Sequence, residues 1–161
     1  MGSDTDNRVV LAGADDVPHV AVLLGDFHDH LGKARPPAEE LEDSVRRVME
    51  GADGEFLLGF VEGEPAGFAQ LRWRWAVWTR ALDGWLEDLF VTEERRRSGL
   101  GRDLVEAVKD RARERGCVRL ELDVDDDNEP ALALYRSLGF SDKPKGRGGT
   151  LLMGTRVDGS G

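Results

Sequence analysis

Along the chain the hydrophobic positions switch repeatedly between the two-residue alternation of strands and the three- and four-residue steps of helices. Residues 8–12 form a short β-type run. Val17, Val20, Ala21, Leu24, Phe27 and Leu31 then recur at helical steps, with Asp15 or Asp16 placed as the cap. Pro36-Pro37 breaks the chain. A second helix follows, with Glu39 and Glu40 in its first turn, Leu41, Val45 and Val48 on its inner face and Gly51 as its stop. Residues 55–62 and 66–75 read as strands joined by a hairpin at Glu62-Gly63-Glu64-Pro65; residues 76–83 read as a loop, and 85–91 as a further strand. Leu100, Leu104, Val105, Val108 and Ala112 predict a third helix over 99–115, ended by Gly116. Val118, Leu120, Leu122 and Val124 alternate with Arg119, Glu121 and Asp123 in a strand over 118–124. Asn128 and Pro130 open a short helix that Gly139 ends, and residues 150–157 predict a last strand.

Strand 85–91, helix 99–115 and strand 118–124 make a β-α-β unit, whose strands are parallel and whose crossover is right-handed. The hairpin-linked strands before it are antiparallel. The expected class is therefore α/β: a mixed sheet with helices on both faces, in one domain over 8–157 with tails at 1–7 and 158–161.

Composition narrows the function classes. Lys and Arg total 22 against 32 Asp and Glu, a net charge of −10 that repels nucleic-acid phosphates and anionic membranes and attracts cations. No apolar run approaches the ~18 residues of a membrane span. The polar, acidic start of the chain is unlike a signal peptide. One cysteine, Cys117, forms no internal disulfide. These features point to a cytoplasmic protein with neither nucleic-acid nor membrane partners. An anionic ligand needs a local cluster of donors against the overall field, which makes the run Arg95-Arg96-Arg97 informative.

That run opens the segment Thr92-Glu-Glu-Arg-Arg-Arg-Ser-Gly-Leu-Gly-Arg102, where the chain passes from strand to helix. A helix N-terminus presents free N–H groups and the positive end of the dipole to an anion. Gly99 and Gly101 let the backbone come close, and Arg96, Arg97 and Arg102 add charge-assisted donors. The plainer alternative is a solvated turn with glycines that serve only the helix entry.

The spacing Arg96-x-x-Gly99-x-Gly101 follows directly on Leu86-Glu-Asp-Leu-Phe-Val91, and Asn128-Glu-Pro-Ala-Leu-Ala-Leu-Tyr135-Arg-Ser-Leu-Gly-Phe140 follows it. This combination resembles the GNAT superfamily of N-acetyltransferases over about residues 84–140. Trp85-Leu-Glu-Asp-Leu-Phe-Val91 and Asn128-Glu-Pro…Tyr135 are most similar to the diamine (spermidine/spermine, thialysine) type. Many members carry glycine where this chain has Arg97. The resemblance implies the acyl-CoA N-acyltransferase fold, a mostly antiparallel sheet of six or seven strands with about four helices.

It also implies acetyl-CoA as co-substrate, no metal, a small-molecule amine acceptor and a homodimer. By resemblance, Leu89, Phe90, Val91, Arg96, Arg97, Ser98, Gly99, Leu100, Gly101, Arg102, Asn128 and Ala131 hold the cofactor. Glu87 is the base, directly or through water, and Tyr135 the general acid that protonates the departing thiolate. Plainer roles are an outward strand residue for Glu87, a core aromatic for Tyr135 and a helix cap for Asn128. Asp88, Asp123, His30 and Trp78 are candidate contacts for a cationic acceptor. Adjacent strand residues alternate faces, so Glu87 and Asp88 share a pocket only if the strand bulges. His28 and His30 diverge on a helix, which argues against a metal pair. A non-catalytic acyl-CoA-binding regulatory module is the alternative from another class, and aminoglycosides and protein amines are alternative acceptors.

Overall fold

Val9, Val10 and Leu11 form the end of β1 (Asn7–Leu11), which pairs antiparallel with β2 (Gly54–Val61). β2 turns through Glu62 and Gly63, at φ 52° and 82°, into β3 (Glu64–Ala76). A left-handed pair of this kind has the twist a two-residue hairpin needs. A second turn, over residues 77–80, leads into β4 (Ala81–Val91). β4 starts at Ala81 instead of Trp85 because Arg74, Trp75 and Ala76 pair with Asp83, Leu82 and Ala81.

The computed structural model describes residues 5–142, 153 and 155–158. Contacts divide the chain into two compact units, one ending at Asp125 and one beginning at Asp126. The first holds a sheet in the order β1-β2-β3-β4-β5, with β5 (Arg119–Glu121) parallel to β4 and all other pairs antiparallel. Among the described residues the sheet thus has five strands, not the six or seven expected. Of the expected last strand, residues 150–152 and 154 lie outside the described residues, and 153 and 155–157 have no regular secondary structure.

β5 is also shorter than the predicted 118–124. It meets β4 only at Asp83↔Arg119, Gly84↔Leu120 and Trp85↔Glu121. Arg119 donates to Asp83 at 2.8 Å, and Asp83 is only 4% exposed, so this end of the pairing is pinned. Beyond Trp85 the two strands part.

α1 (Val17–His30) and α2 (Ala38–Glu50) cover one face: Val17, Val20, Leu23 and Val45 pack on Phe56, Leu58, Phe68 and Phe90. α3 (Leu100–Glu114) covers the other, where Leu100 and Leu104 are fully buried. Its Arg111 donates to both Glu55 oxygens at 2.7 and 2.8 Å. Burial opposes the Glu55 charge, but the hydrogen bonds and charge of Arg111, with the charge of Arg115, outweigh it and hold the carboxyl below its ordinary range. α4 (Glu129–Ser137) lies in the second unit.

The entry to α3 sits close to the sheet because β2 and β3 carry glycine beneath it. A Cβ at Gly59 would stand 2.8 Å from Leu100 Cδ1. One at Gly67 would stand 2.6 Å from the Phe90 carbonyl oxygen and 3.2 Å from Leu100 Cδ2. The backbone oxygen cannot swing aside as a side chain can. Gly67→Ala is therefore expected to destabilise the fold by about 1–3 kcal/mol, measured by urea unfolding; an unchanged midpoint would contradict this packing.

Candidate active site

The β3–β4 register shifts between Gln70 and Leu71: Gln70 faces Asp88 while Leu71 faces Leu86. Glu87 is the extra residue of a β-bulge. The register then fixes the faces. Phe68 and Phe90 are partners in the core under α1, and Gln70 and Asp88 lie two residues along on the same face. Strict alternation would put Glu87 on the opposite, α3 face. Instead Glu87 lies 3.5 Å from Arg72, which follows Gln70 by two residues on the α1 face. The bulge thus gathers the two carboxylates that simple alternation separates.

Their electrostatics differ. Burial pushes the Asp88 carboxyl above the ordinary aspartate range, the Glu87 charge pushes it further, and Asp123 adds to this; His28 and Lys33 act in the opposite sense. Above its raised pKa Asp88 is a carboxylate and binds a proton more readily than an exposed aspartate does.

β4 ends at Val91, a single 3-10 turn (Glu93–Arg95) follows, and α3 begins at Leu100. Between them Arg97 has φ 70° and Gly99 φ 86°. A side chain in the left-handed region costs about 1–2 kcal/mol, which explains why glycine suits the Arg97 position.

Asn7 holds this loop in place. Its Nδ2 donates to the Ser98 carbonyl and to Asp103 Oδ2, each at 2.9 Å. The sequence places Asn7 in a tail, and no motif or period marks it out. Ser98 Oγ accepts from the Leu100 N–H at 3.2 Å. Leu100 is fully buried, so its side chain anchors the helix. Arg95 pairs with Glu62 at 3.1 Å, and Arg102 lies 3.9 Å from Glu106. Arg96 Nε donates to the Val91 carbonyl at 3.3 Å, and its Nη2 lies 3.3 Å from His30 Nε2. Arg97 is exposed.

Phe90 is a core side chain, so at that position β4 can offer a ligand only backbone. From Leu86 to Val91, β4 pairs with β3 on one edge, and among the described residues no strand pairs with the other. Alternate N–H and C=O groups there stand outside the sheet ladder.

His30 ends α1, with its ring 6.0 Å from Phe90, so the structure joins this acceptor candidate to Arg96. His28 Nδ1 lies 3.2 Å from the Ala34 carbonyl oxygen. Asp123 is exposed beyond β5. Trp78 is 97% exposed in the β3–β4 turn. Ala81 to Glu87 is six strand steps, roughly 20 Å along β4, so Trp78 is not brought to the carboxylates.

In the second unit Asn128 caps α4, its Oδ1 accepting from the Ala131 N–H at 3.3 Å. Tyr135 is half-buried with its ring edge-on to Phe140 at 5.7 Å. Among the described residues no group of His, Cys, Asp or Glu is placed to hold a metal ion. No helix among them is long and apolar enough to cross a membrane.

The sequence profile of the Acetyltransferase (GNAT) family matches residues 24–140. The chain belongs to this family, whose members use acetyl-CoA as co-substrate. The thialysine N-epsilon-acetyltransferase of Caenorhabditis elegans is 28% identical over 132 residues, covering 81% of this chain and 82% of that protein. An aminoglycoside N(6')-acetyltransferase type 1 of Stenotrophomonas maltophilia is 36% identical over 132 residues, 80% and 82% respectively. The streptothricin acetyltransferase of Streptomyces lavendulae is 35% identical over 128 residues, 78% of this chain but 61% of that protein. A crystal structure from Arthrobacter sp. FB24 shares the fold at a TM-score of 0.83 and 28% identity, covering 98% of this chain and 99% of that one.

The strain at Arg97 is open to test. Arg97→Gly should raise stability by up to about 1 kcal/mol and Arg97→Val should lower it by about 1–2 kcal/mol. Thermal unfolding of both variants checks the sign, and an order reversed between them would exclude a left-handed residue here.

Proposed function

We propose that the protein transfers an acetyl group from acetyl-CoA to a primary amine of a small cationic acceptor, by direct attack in a ternary complex. The observation that carries this reading is the bulged strand, which sets Glu87 and Asp88 on one face of the sheet. Two carboxylates there favour an acceptor that arrives as an ammonium ion, and one of them can take its proton. The motif assigns that step to Glu87. The neutral nitrogen then attacks the thioester carbonyl carbon, the C–S bond breaks, and the thiolate takes the Tyr135 hydroxyl proton.

Backbone N–H groups of Leu89 to Val91 polarise the carbonyl and hold the pantetheine arm. N–H groups of the segment from Arg97 to Arg102, with the Arg96, Arg97 and Arg102 side chains, hold the pyrophosphate. Asn128 and Ala131 contact the cofactor arm. His30 and Asp123 line the acceptor side. The three relatives, named for thialysine, streptothricin and aminoglycosides, support an amine acceptor of low mass. The 36% identity to the aminoglycoside enzyme favours an aminosugar as the second reading. The composition supports a cytoplasmic location, and the resemblance supports a homodimer.

A thiol-release assay over diamines, thialysine, aminoglycosides and peptides tests this. Turnover is expected on diamines or thialysine, and Tyr135→Phe should lower kcat about 10²-fold. Acetyl-CoA binding without turnover on any amine would favour the non-catalytic binding module instead.

A further inference from the structure

The two carboxylates of the bulge are not equivalent. Glu87 lies 3.5 Å from the Arg72 guanidinium. Asp88 has, among the described residues, neither an ion pair nor a side-chain hydrogen bond, and its partner across the ladder is the uncharged Gln70. The charged and titratable groups around Asp88 are Glu87 on its own strand, His28 on α1, Lys33 after α1 and Asp123 after β5.

We infer that Asp88, not Glu87, takes the proton from the acceptor ammonium, and that Arg72 is a positioning residue which keeps Glu87 out of that role. The inference rests on the amine-acetylation reading and refines it. Glu87 is engaged with the Arg72 guanidinium, whereas among the described residues no cation is paired with Asp88. Protonating Asp88 forfeits no such pair and removes a like-charge repulsion with Glu87. Of the two, the carboxylate that no cation holds is the one open to the acceptor ammonium.

The step balances. An N–H bond of the ammonium breaks, its electron pair stays on nitrogen, and an O–H bond forms on Asp88. Nitrogen then forms the C–N bond as the C–S bond breaks with its electrons on sulfur. The thiolate takes the Tyr135 hydroxyl proton, and the second proton shed by the new amide nitrogen returns to that phenolate through solvent. After the thiolate is protonated, Asp88 gives its proton to solvent, so each turnover consumes an ammonium and a thioester and yields an amide, a thiol and one proton.

Glu87 keeps a function in this scheme. Its charge raises the proton affinity of Asp88 and attracts the cationic acceptor, while Arg72 offsets part of that charge. Removing either member of the ion pair must therefore move Asp88 in opposite directions. Glu87→Gln deletes a negative neighbour and favours the Asp88 carboxylate. Arg72→Gln uncovers the Glu87 charge and favours the protonated acid. A pair that served only to brace the hairpin would give no such opposition.

The test is the pH profile of kcat/KM for thiol release by the full chain, together with a carbon-13 NMR titration of the Asp88 carboxyl. Asp88→Asn should lose about 10²-fold in kcat and lose the acid limb of the profile. Glu87→Gln should lose less and move the limb to lower pH; Arg72→Gln should move it to higher pH. Asp88→Glu should restore a limb. Wild-type turnover with the acid limb intact in Asp88→Asn would overturn the inference alone. No wild-type turnover on any amine would overturn the functional reading and the inference with it. Should Asp88→Asn fail to fold, the carboxyl titration decides: opposite shifts in Glu87→Gln and Arg72→Gln support the assignment, and shifts in one direction or none reject it.

Discussion

At Glu87, β4 carries a residue with no counterpart across the β3 ladder, and a bulge of this kind sharpens the local twist of its strand. On the β5 side, pairing has already ended at Trp85, the residue opposite Glu121. Upstream of the bulge β4 is held on both edges, with the buried Asp83–Arg119 contact fixing the β5 side. Downstream it is held by β3 alone. One extra residue thus accompanies two changes at the same level of the sheet: two acidic side chains share a face, and a stretch of backbone is released from the ladder. On the proposed reading the first serves the acceptor ammonium and the second the thioester arm.

The other half of the site depends on close packing. Leu100 is buried in a hollow that exists because β2 and β3 carry Gly59 and Gly67 there. Arg111 clamps the far end of α3 to Glu55. Asn7 ties the loop before the helix to the first strand. A helix N-terminus attracts anions only within its first turn, and these contacts fix where the first turn of α3 lies. The strain at Arg97 is tolerated because the chain is fixed on both sides of it, at Val91 by the sheet and at Leu100 by the core.

Much of this was legible in the residues. Helical stripes marked α1 to α3 closely, because amphipathic periodicity reports burial directly, and cap residues marked α4. The Arg96–Gly101 spacing located the loop, and the Asn128 cap is as expected. What was not legible is tertiary. The length of β5 is set by where β4 stops accepting a partner, not by the alternation of Val118, Leu120, Leu122 and Val124. A bulge leaves no fixed signature, so Glu87 and Asp88 read as facing apart. Asn7 acts through partners Ser98 and Asp103, far away in sequence, and Trp78 was attractive by composition but lies at the outer turn of the hairpin. Local pattern found the elements; pairing register placed the chemistry.

On the proposed reading, the released edge of β4 and the first turn of α3 together receive the cofactor. Backbone amide NMR of the full chain, titrated with coenzyme A, tests it most directly. The largest shifts are expected at Leu89, Phe90 and Val91 and across Arg97 to Arg102, with β1 and α2 little changed. Saturable binding that leaves both segments unmoved would contradict it.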